Sequence, residues 1–128
     1  MKNIKCKVWS EMYHEMFDVV AIMLIYNNDN VRVKVIDKPD IKEFDTEFEY
    51  LRQWIGRSDK NGTDIYEGDI VIIDGYTGIV FYDGENARFA IRWKDIDSEE
   101  TYQCGFHLYA QKDIEVIGNI YENKSDEN

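Results

Sequence analysis

The 128-residue chain has one proline, two histidines and two cysteines. It also lacks any long apolar run and any excess of positive charge. Each scarcity excludes something. One proline and eight glycines rule out collagen-like and low-complexity compositions. Cys6 and Cys104 stand far apart, fit no metal-ligand spacing and form no dense disulfide framework, so a thiol-reduced compartment is expected. The longest apolar stretch, "VVAIMLIY" (Val19–Tyr26), is too short to cross a bilayer. The opening "MKNIKCKVWSEMYHEMF" scatters its charges and does not read as a signal peptide. A cytoplasmic protein with no membrane contact is the expectation. Lys and Arg number 15 against 26 Asp and Glu, for a formal charge of −11. The deficit is concentrated: residues 57–128 hold 7 basic and 16 acidic side chains. Such a surface repels phosphate backbones and disfavours general nucleic-acid binding.

What is present is a globular composition, 44% hydrophobic and 14% aromatic. A chain of this size buries roughly two thirds of its unfolded surface, enough for a core without staples. No internal repeat interrupts it. The start alternates, with Ile4, Cys6 and Val8 opposite Lys5 and Lys7, as a strand does. "DVVAIMLIY" is continuous enough for a buried strand or a short buried helix. Its β-branched residues and the following "NNDN" favour a strand entering a turn. "VRVKVID" then puts Val31, Val33 and Val35 inward and Arg32 and Lys34 outward, making a hairpin with the preceding segment. "KPDIKEFDTEFE" reads as an acidic surface connection with at most one helical turn.

From Tyr50 the texture changes to short, closely spaced strands. "DIVIID" (Asp69–Asp74) reads as buried, "GYTG" as a turn, "IVFYD" (Ile79–Asp83) as its return, and "DGEN" as another turn. "ARFAIRW" places Ala87, Phe89, Ile91 and Trp93 on one face and Arg88, Ala90 and Arg92 on the other. "TYQCGFHLY" and "DIEVIGNIYEN" add strands, the last with a bend at Gly118. The fold expected is mainly β. An N-terminal β-subdomain spans residues 1–49, a small SH3-like antiparallel barrel spans 50–123, and a polar tail spans 124–128.

The most distinctive stretch is "GRSDKNGTDIYEGDIV", residues 56–71, with four carboxylates and two turn signals. A calcium loop with Gly62 at its sixth position would put Arg57 at the first and Gly68 at the twelfth. The two most demanding ligand positions would then be a cation and a residue without a side chain, so that reading fails. The turn reading succeeds. Asn61-Gly62 is a two-residue hairpin signal, and Asp59 suits an Asx-turn. Glu67-Gly68 supplies a second turn, with Asp69 placed to accept backbone N–H groups across it. These six residues are assigned to backbone geometry, and no metal, cofactor or catalytic role is assigned to any residue.

"DKNGTDIYEGDIV" (Asp59–Val71) and "IEVIGNIYEN" (Ile114–Asn123) resemble the YopX family of small phage- and prophage-encoded proteins. "KCKVWSEMYHEMF" (Lys5–Phe17) resembles the family's opening. The chain departs from the pattern at "QWIGRSDKNG", where the family usually has Tyr/Phe-Thr-Gly-Leu. Trp54 and Ile55 keep the bulk, while Arg57 puts charge where an apolar residue would sit. The resemblance implies a mostly-β fold with an SH3-like barrel and residence in a host bacterium. It implies no reaction.

Three functions remain to be weighed. An enzyme ranks last: His107 and Cys104 fall on opposite faces of one strand, and neither a phosphate-cradling loop nor a serine elbow is present. A nucleic-acid-binding barrel would use Arg88, Arg92, Trp93 and Lys94, with Tyr82 or Tyr102 stacking on bases. The reading preferred is a non-enzymatic binding or assembly module. It would contact a host or phage protein or further copies of itself, the copies meeting at exposed strand edges. An acidic inhibitor of a host nucleic-acid-binding protein is a variant of that reading resting on charge alone.

Overall fold

The computed structural model describes residues 5–24, 30–94, 101–105 and 110–122. Residues 1–4, 25–29, 95–100, 106–109 and 123–128 lie outside them, as do the side chains of Lys94, Tyr102 and Cys104. All strand pairs among the described residues are antiparallel. Helical structure there is limited to 3-10 turns at Phe48–Tyr50 and Gln111–Asp113. The chain divides into two compact units, residues 1–54 and 55–128.

The first unit contains β1 (Cys6–Ser10), β2 (Glu15–Leu24), β3 (Asn30–Asp37), β4 (Asp40–Glu47) and the start of β5 (Leu51–Ser58), in the order β4-β3-β2-β1-β5. β3 follows its expected alternation: Val31, Val33 and Val35 have no exposed surface, while Arg32 and Lys34 face outward. Burying each valine contributes about 1.5–3 kcal/mol. They form the core with Val8 and Phe17, and Val19, Phe44, Tyr50 and Leu51 pack around it.

Two expectations for this unit are corrected. "KPDIKEFDTEFE" is not a surface connection, because Asp40–Glu47 pairs along its whole length with β3. Its acids sit opposite the β3 cations: Asp45 lies across from Arg32 and Glu43 across from Lys34. The Arg32 Nε–Asp45 Oδ1 distance is 2.8 Å. Opposite charges directly across a ladder favour pairing, and only Phe44 is needed to hold the inner face. The reading of "DVVAIMLIY" as buried is also corrected. Val19 pairs with Val35 and Ala21 with Lys34, so Val20 is the extra residue of a β-bulge. Val20, Ile22 and Met23 remain 50%, 44% and 40% exposed.

The second unit begins inside β5 and continues through β6 (Asp64–Tyr66), β7 (Asp69–Ile73), β8 (Tyr76–Asp83), β9 (Arg88–Lys94), β10 (Thr101–Gly105) and β11 (Glu115–Asn119). β6 follows β5 in hydrogen-bonded order, and the other five form a sheet in the order β10-β9-β8-β7-β11. A four-strand meander with the last strand returning beside the first is compatible with the SH3-like barrel expected. Ile65, Val71, Ile73, Val80, Ile91 and Ile114 form its core, with Ile55, Phe89, Trp93 and Val116 packed against them. The bend at Gly118 is a bulge: Val116 pairs with Val71 and Gly118 with Ile70, leaving Ile117 as the extra residue.

Two turns differ from expectation. The β7–β8 reversal is Asp74-Gly75, both at positive φ, and Tyr76, Thr77 and Gly78 already belong to β8 rather than to a "GYTG" turn. Asp-Gly meets the demand of a two-residue hairpin for two left-handed residues, which Tyr-Thr does not. Ala87, expected on the core face of β9, is instead an exposed turn residue with φ of 52°.

Candidate functional site

Three places carry the polar chemistry, and they are built differently. The first is the Asp59 turn in the second unit. The Asp59 N–H donates to the Thr63 carbonyl at 2.8 Å, and the Gly62 N–H donates to the Asp59 carbonyl at 3.1 Å. Gly62, at φ of 81°, takes the left-handed position, whereas Asn61 has negative φ. The hairpin therefore has a three-residue loop that ends on a left-handed glycine, and Asn61-Gly62 is not itself its two-residue turn. The Asp59 side chain is fully buried. Oδ1 accepts the N–H groups of Asn61 and Thr63, each at 2.9 Å, and Oδ2 accepts that of Val116 at 2.9 Å. Burial raises the carboxyl pKa and is the largest single influence. The three backbone N–H bonds, from Val116, Thr63 and Asn61, together overcome it and hold the pKa below 3.8. Lys60 N–H to Ile114 carbonyl, at 2.9 Å, adds a backbone link, so one carboxylate ties this turn to β11.

Asp69 and Asp64 of the same stretch are also engaged within the fold. Asp69 Oδ2 accepts the Tyr66 N–H at 2.8 Å across the Glu67-Gly68 turn, where Gly68 has φ of 85°. The Gly68 N–H and carbonyl bond to Val80 and Ile120, so this turn is sewn into the sheet on both sides. Asp64 Oδ1 accepts the Ser58 hydroxyl at 3.2 Å. Among the described residues, no three His, Cys, Asp or Glu side chains converge as a metal site would require.

The second place is the β8–β9 face with Arg88 and Arg92. Cross-strand register puts Arg88 opposite Asp83 and Arg92 opposite Ile79. The Arg88 Nε lies 3.4 Å from Asp83 Oδ2, and the Arg92 guanidinium lies 4.3 Å over the Phe81 ring. Asp83 also accepts from the Asn86 amide, at 2.7 Å, and the Glu85 N–H, at 3.2 Å. Its pKa is lowered, chiefly by the Asn86 bond. Trp93 is not beside the arginines. It shares the other face with Ile91 and Phe89 and lies across from Gly78. Tyr82, half-exposed, packs edge-on to Phe89 on that same opposite face. The structure therefore separates the arginines from Trp93 and Tyr82, while the Tyr102 ring lies outside the described atoms. Lys94 ends β9, with its side chain outside the described atoms.

The third place was not singled out from the sequence. In the first unit an open groove of about 290 Å³ lies between the β1–β2 turn and β4. Met12, Tyr13, Phe44 and Tyr50 supply its apolar lining, and Glu11, Asp45 and Glu47 its charge. The Ser10 hydroxyl accepts the Tyr13 N–H at 3.1 Å, closing the turn. Tyr13, Phe17 and Phe44 stack edge to face, with centroids about 6 Å apart. Met12 is 83% exposed at the lip. No motif marks this groove, because its walls come from segments about thirty residues apart. The only available signal was the aromatic and methionine content of "SEMYHEMF", an unusual composition for a turn.

The Tyr50 hydroxyl donates to Glu11 Oε1 at 2.7 Å. That bond, with burial and the charges of Glu11, Glu49 and Glu47, pushes the Tyr50 pKa up to about 12. In a spectrophotometric titration one phenol should ionise near 12, and Glu11→Gln should bring that step back toward 10. A step unmoved by the substitution would mean that Glu11 is not its cause.

Fold and sites together define an antiparallel all-β protein of two units in which the buried Asp59 and Asp69 serve the backbone. Among the described residues, no helix is long and apolar enough to cross a membrane. The chain belongs to the YopX family, whose model it matches over residues 5–125. The crystal structure of protein EF1440 from Enterococcus faecalis resembles it with a TM-score of 0.58, at 23% identity over 100% of both chains, a likeness of fold. A comparison with curated proteins finds no match.

Proposed function

We propose that this YopX-family chain is a non-enzymatic binding or assembly module of phage or prophage origin, acting through protein–protein contacts in the host cytoplasm. The groove of the first unit carries this reading. An exposed methionine and tyrosine over an aromatic wall form the kind of surface that concentrates binding energy between proteins. Asp59, Asp64 and Asp69, the other prominent feature, are engaged by the fold in ways that explain them without a ligand. A nucleic-acid role has less support. Arg88 already faces Asp83, Arg92 already covers Phe81, and the exposed Tyr82 lies on the opposite sheet face.

The reading is tested by affinity capture from lysate of a bacterial host, run in parallel with and without nuclease treatment. The baits are the wild-type chain, a Met12→Ser/Tyr13→Ser variant and an Arg88→Ala/Arg92→Ala variant, each checked for folding. A protein should be retained by the wild type and the arginine variant and lost from the groove variant. Capture of nucleic acid instead, weakening steeply with salt and with loss of the arginines, would overturn the reading.

A further inference from the structure

The chemistry of the groove narrows what can enter it. Among the described residues, its charged lining consists of Glu11, Asp45 and Glu47, with no lysine or arginine. Asp45 is neutralised by Arg32, whose Nε and Nη2 reach its two oxygens at 2.8 and 3.5 Å. Glu11 is different. It stands on the exposed β1–β2 turn and accepts one hydrogen bond, from the Tyr50 hydroxyl. A carboxylate offers about four acceptor directions, so this bond orients the group while leaving capacity for a cation. The phenol is itself a neutral donor and does not cancel the charge. Beside it lies the apolar wall of Phe44 and Met12. Lys42 Nζ, paired with Asp37 Oδ2 at 2.9 Å, also sits 4.1 Å from the Tyr13 ring centroid, so this aromatic cluster accepts an ammonium beside it.

An acid next to an apolar wall matches a long cationic side chain, whose methylenes lie on the wall while the charged head reaches the carboxylate. A volume of about 290 Å³ is at the small end for ligand pockets, suited to one or two side chains. Phosphate-bearing ligands are repelled by the same carboxylates. We propose that this groove receives a lysine or arginine side chain from an extended basic segment of a protein partner, with Glu11 taking the charge and Met12 and Phe44 the stem. This deepens the binding reading above and rests on it.

The test uses the full chain and a fluorescein-labelled heptapeptide, Ala-Ala-Lys-Leu-Lys-Ala-Ala, followed by anisotropy at 150 mM salt. Glu11→Gln keeps an acceptor for Tyr50 and removes the charge. It should weaken binding about tenfold, the loss of one charge-assisted contact. Asp74→Asn removes an exposed charge that does not line the groove and should change affinity less than about twofold, as loss of a solvent-screened charge with no contact to the peptide does. A peptide with norleucine in place of both lysines should not bind. Equal losses from Glu11→Gln and Asp74→Asn would overturn the proposal, since binding would then be diffuse attraction to an acidic protein. So would absence of binding by the lysine peptide and its arginine counterpart. If capture by the groove still succeeds in that case, protein binding stands and only the basic partner is lost.

Discussion

Asp59→Ala is expected to destabilise the second unit by at least about 3 kcal/mol, seen as a lower urea midpoint with an unchanged slope. The substitution leaves the N–H groups of Asn61, Thr63 and Val116 without their acceptor at a fully buried site. Each such orphan costs roughly 1–3 kcal/mol, against a total stability of about 5–15 kcal/mol for a domain. Asp59→Asn should fall between. Its one oxygen can keep the bonds to Asn61 and Thr63, but its amide nitrogen faces the Val116 N–H. The carboxyl pKa is held below 3.8 in the folded chain. Stability from this group is therefore full above the unfolded value near 3.8 and is lost as pH falls through the lower folded value. The alanine variant should lose that part of the acid transition. An asparagine variant as stable as wild type would refute the role assigned to Asp59.

Gly78→Ala should be a damaging methyl addition. A Cβ there would stand 2.5 Å from Ile91 Cγ2 and 2.8 Å from Trp93 Cε3. Ile91 is fully buried in the core, and Trp93 lies directly across from Gly78 on β9, so neither has room to yield. Overpacking of this kind costs about 1–3 kcal/mol. The near-ultraviolet circular dichroism of Trp93 should change together with the denaturation midpoint. Gly84→Ala is the control: nothing lies within 4 Å of its added Cβ, and it should be neutral or slightly stabilising. Equal effects at the two glycines would show that backbone freedom, rather than the Trp93–Ile91 contact, sets the cost.

The turns around residues 59–69 were legible because turn chemistry is local. Asp59, Gly62, Gly68 and Asp69 act on backbone groups a few residues away, and their side chains announce it. The same holds for Val31, Val33 and Val35, whose two-residue period names both the strand and its inner face. β4 was missed because Phe44 is its one aromatic inward residue and its acids resemble a loop. What makes it a strand is the charge on β3, visible once the register is known. The Val20 bulge was hidden because one extra residue in a continuous apolar run changes no pattern. The contact from Asp59 Oδ2 to Val116 could not be foreseen either, since it spans 57 residues.

From neighbouring residues alone, then, followed an antiparallel β protein, its two strand textures and the backbone duty of its glycines and acids. Strand register decided that Glu11 would meet Tyr50 across 39 residues, that Phe44 would wall a groove, and that Arg92 and Tyr82 would face opposite ways. Turns and alternation are governed by bonds a few residues long, which any short stretch displays. A groove is made by side chains brought together through pairings whose partners lie far apart along the chain.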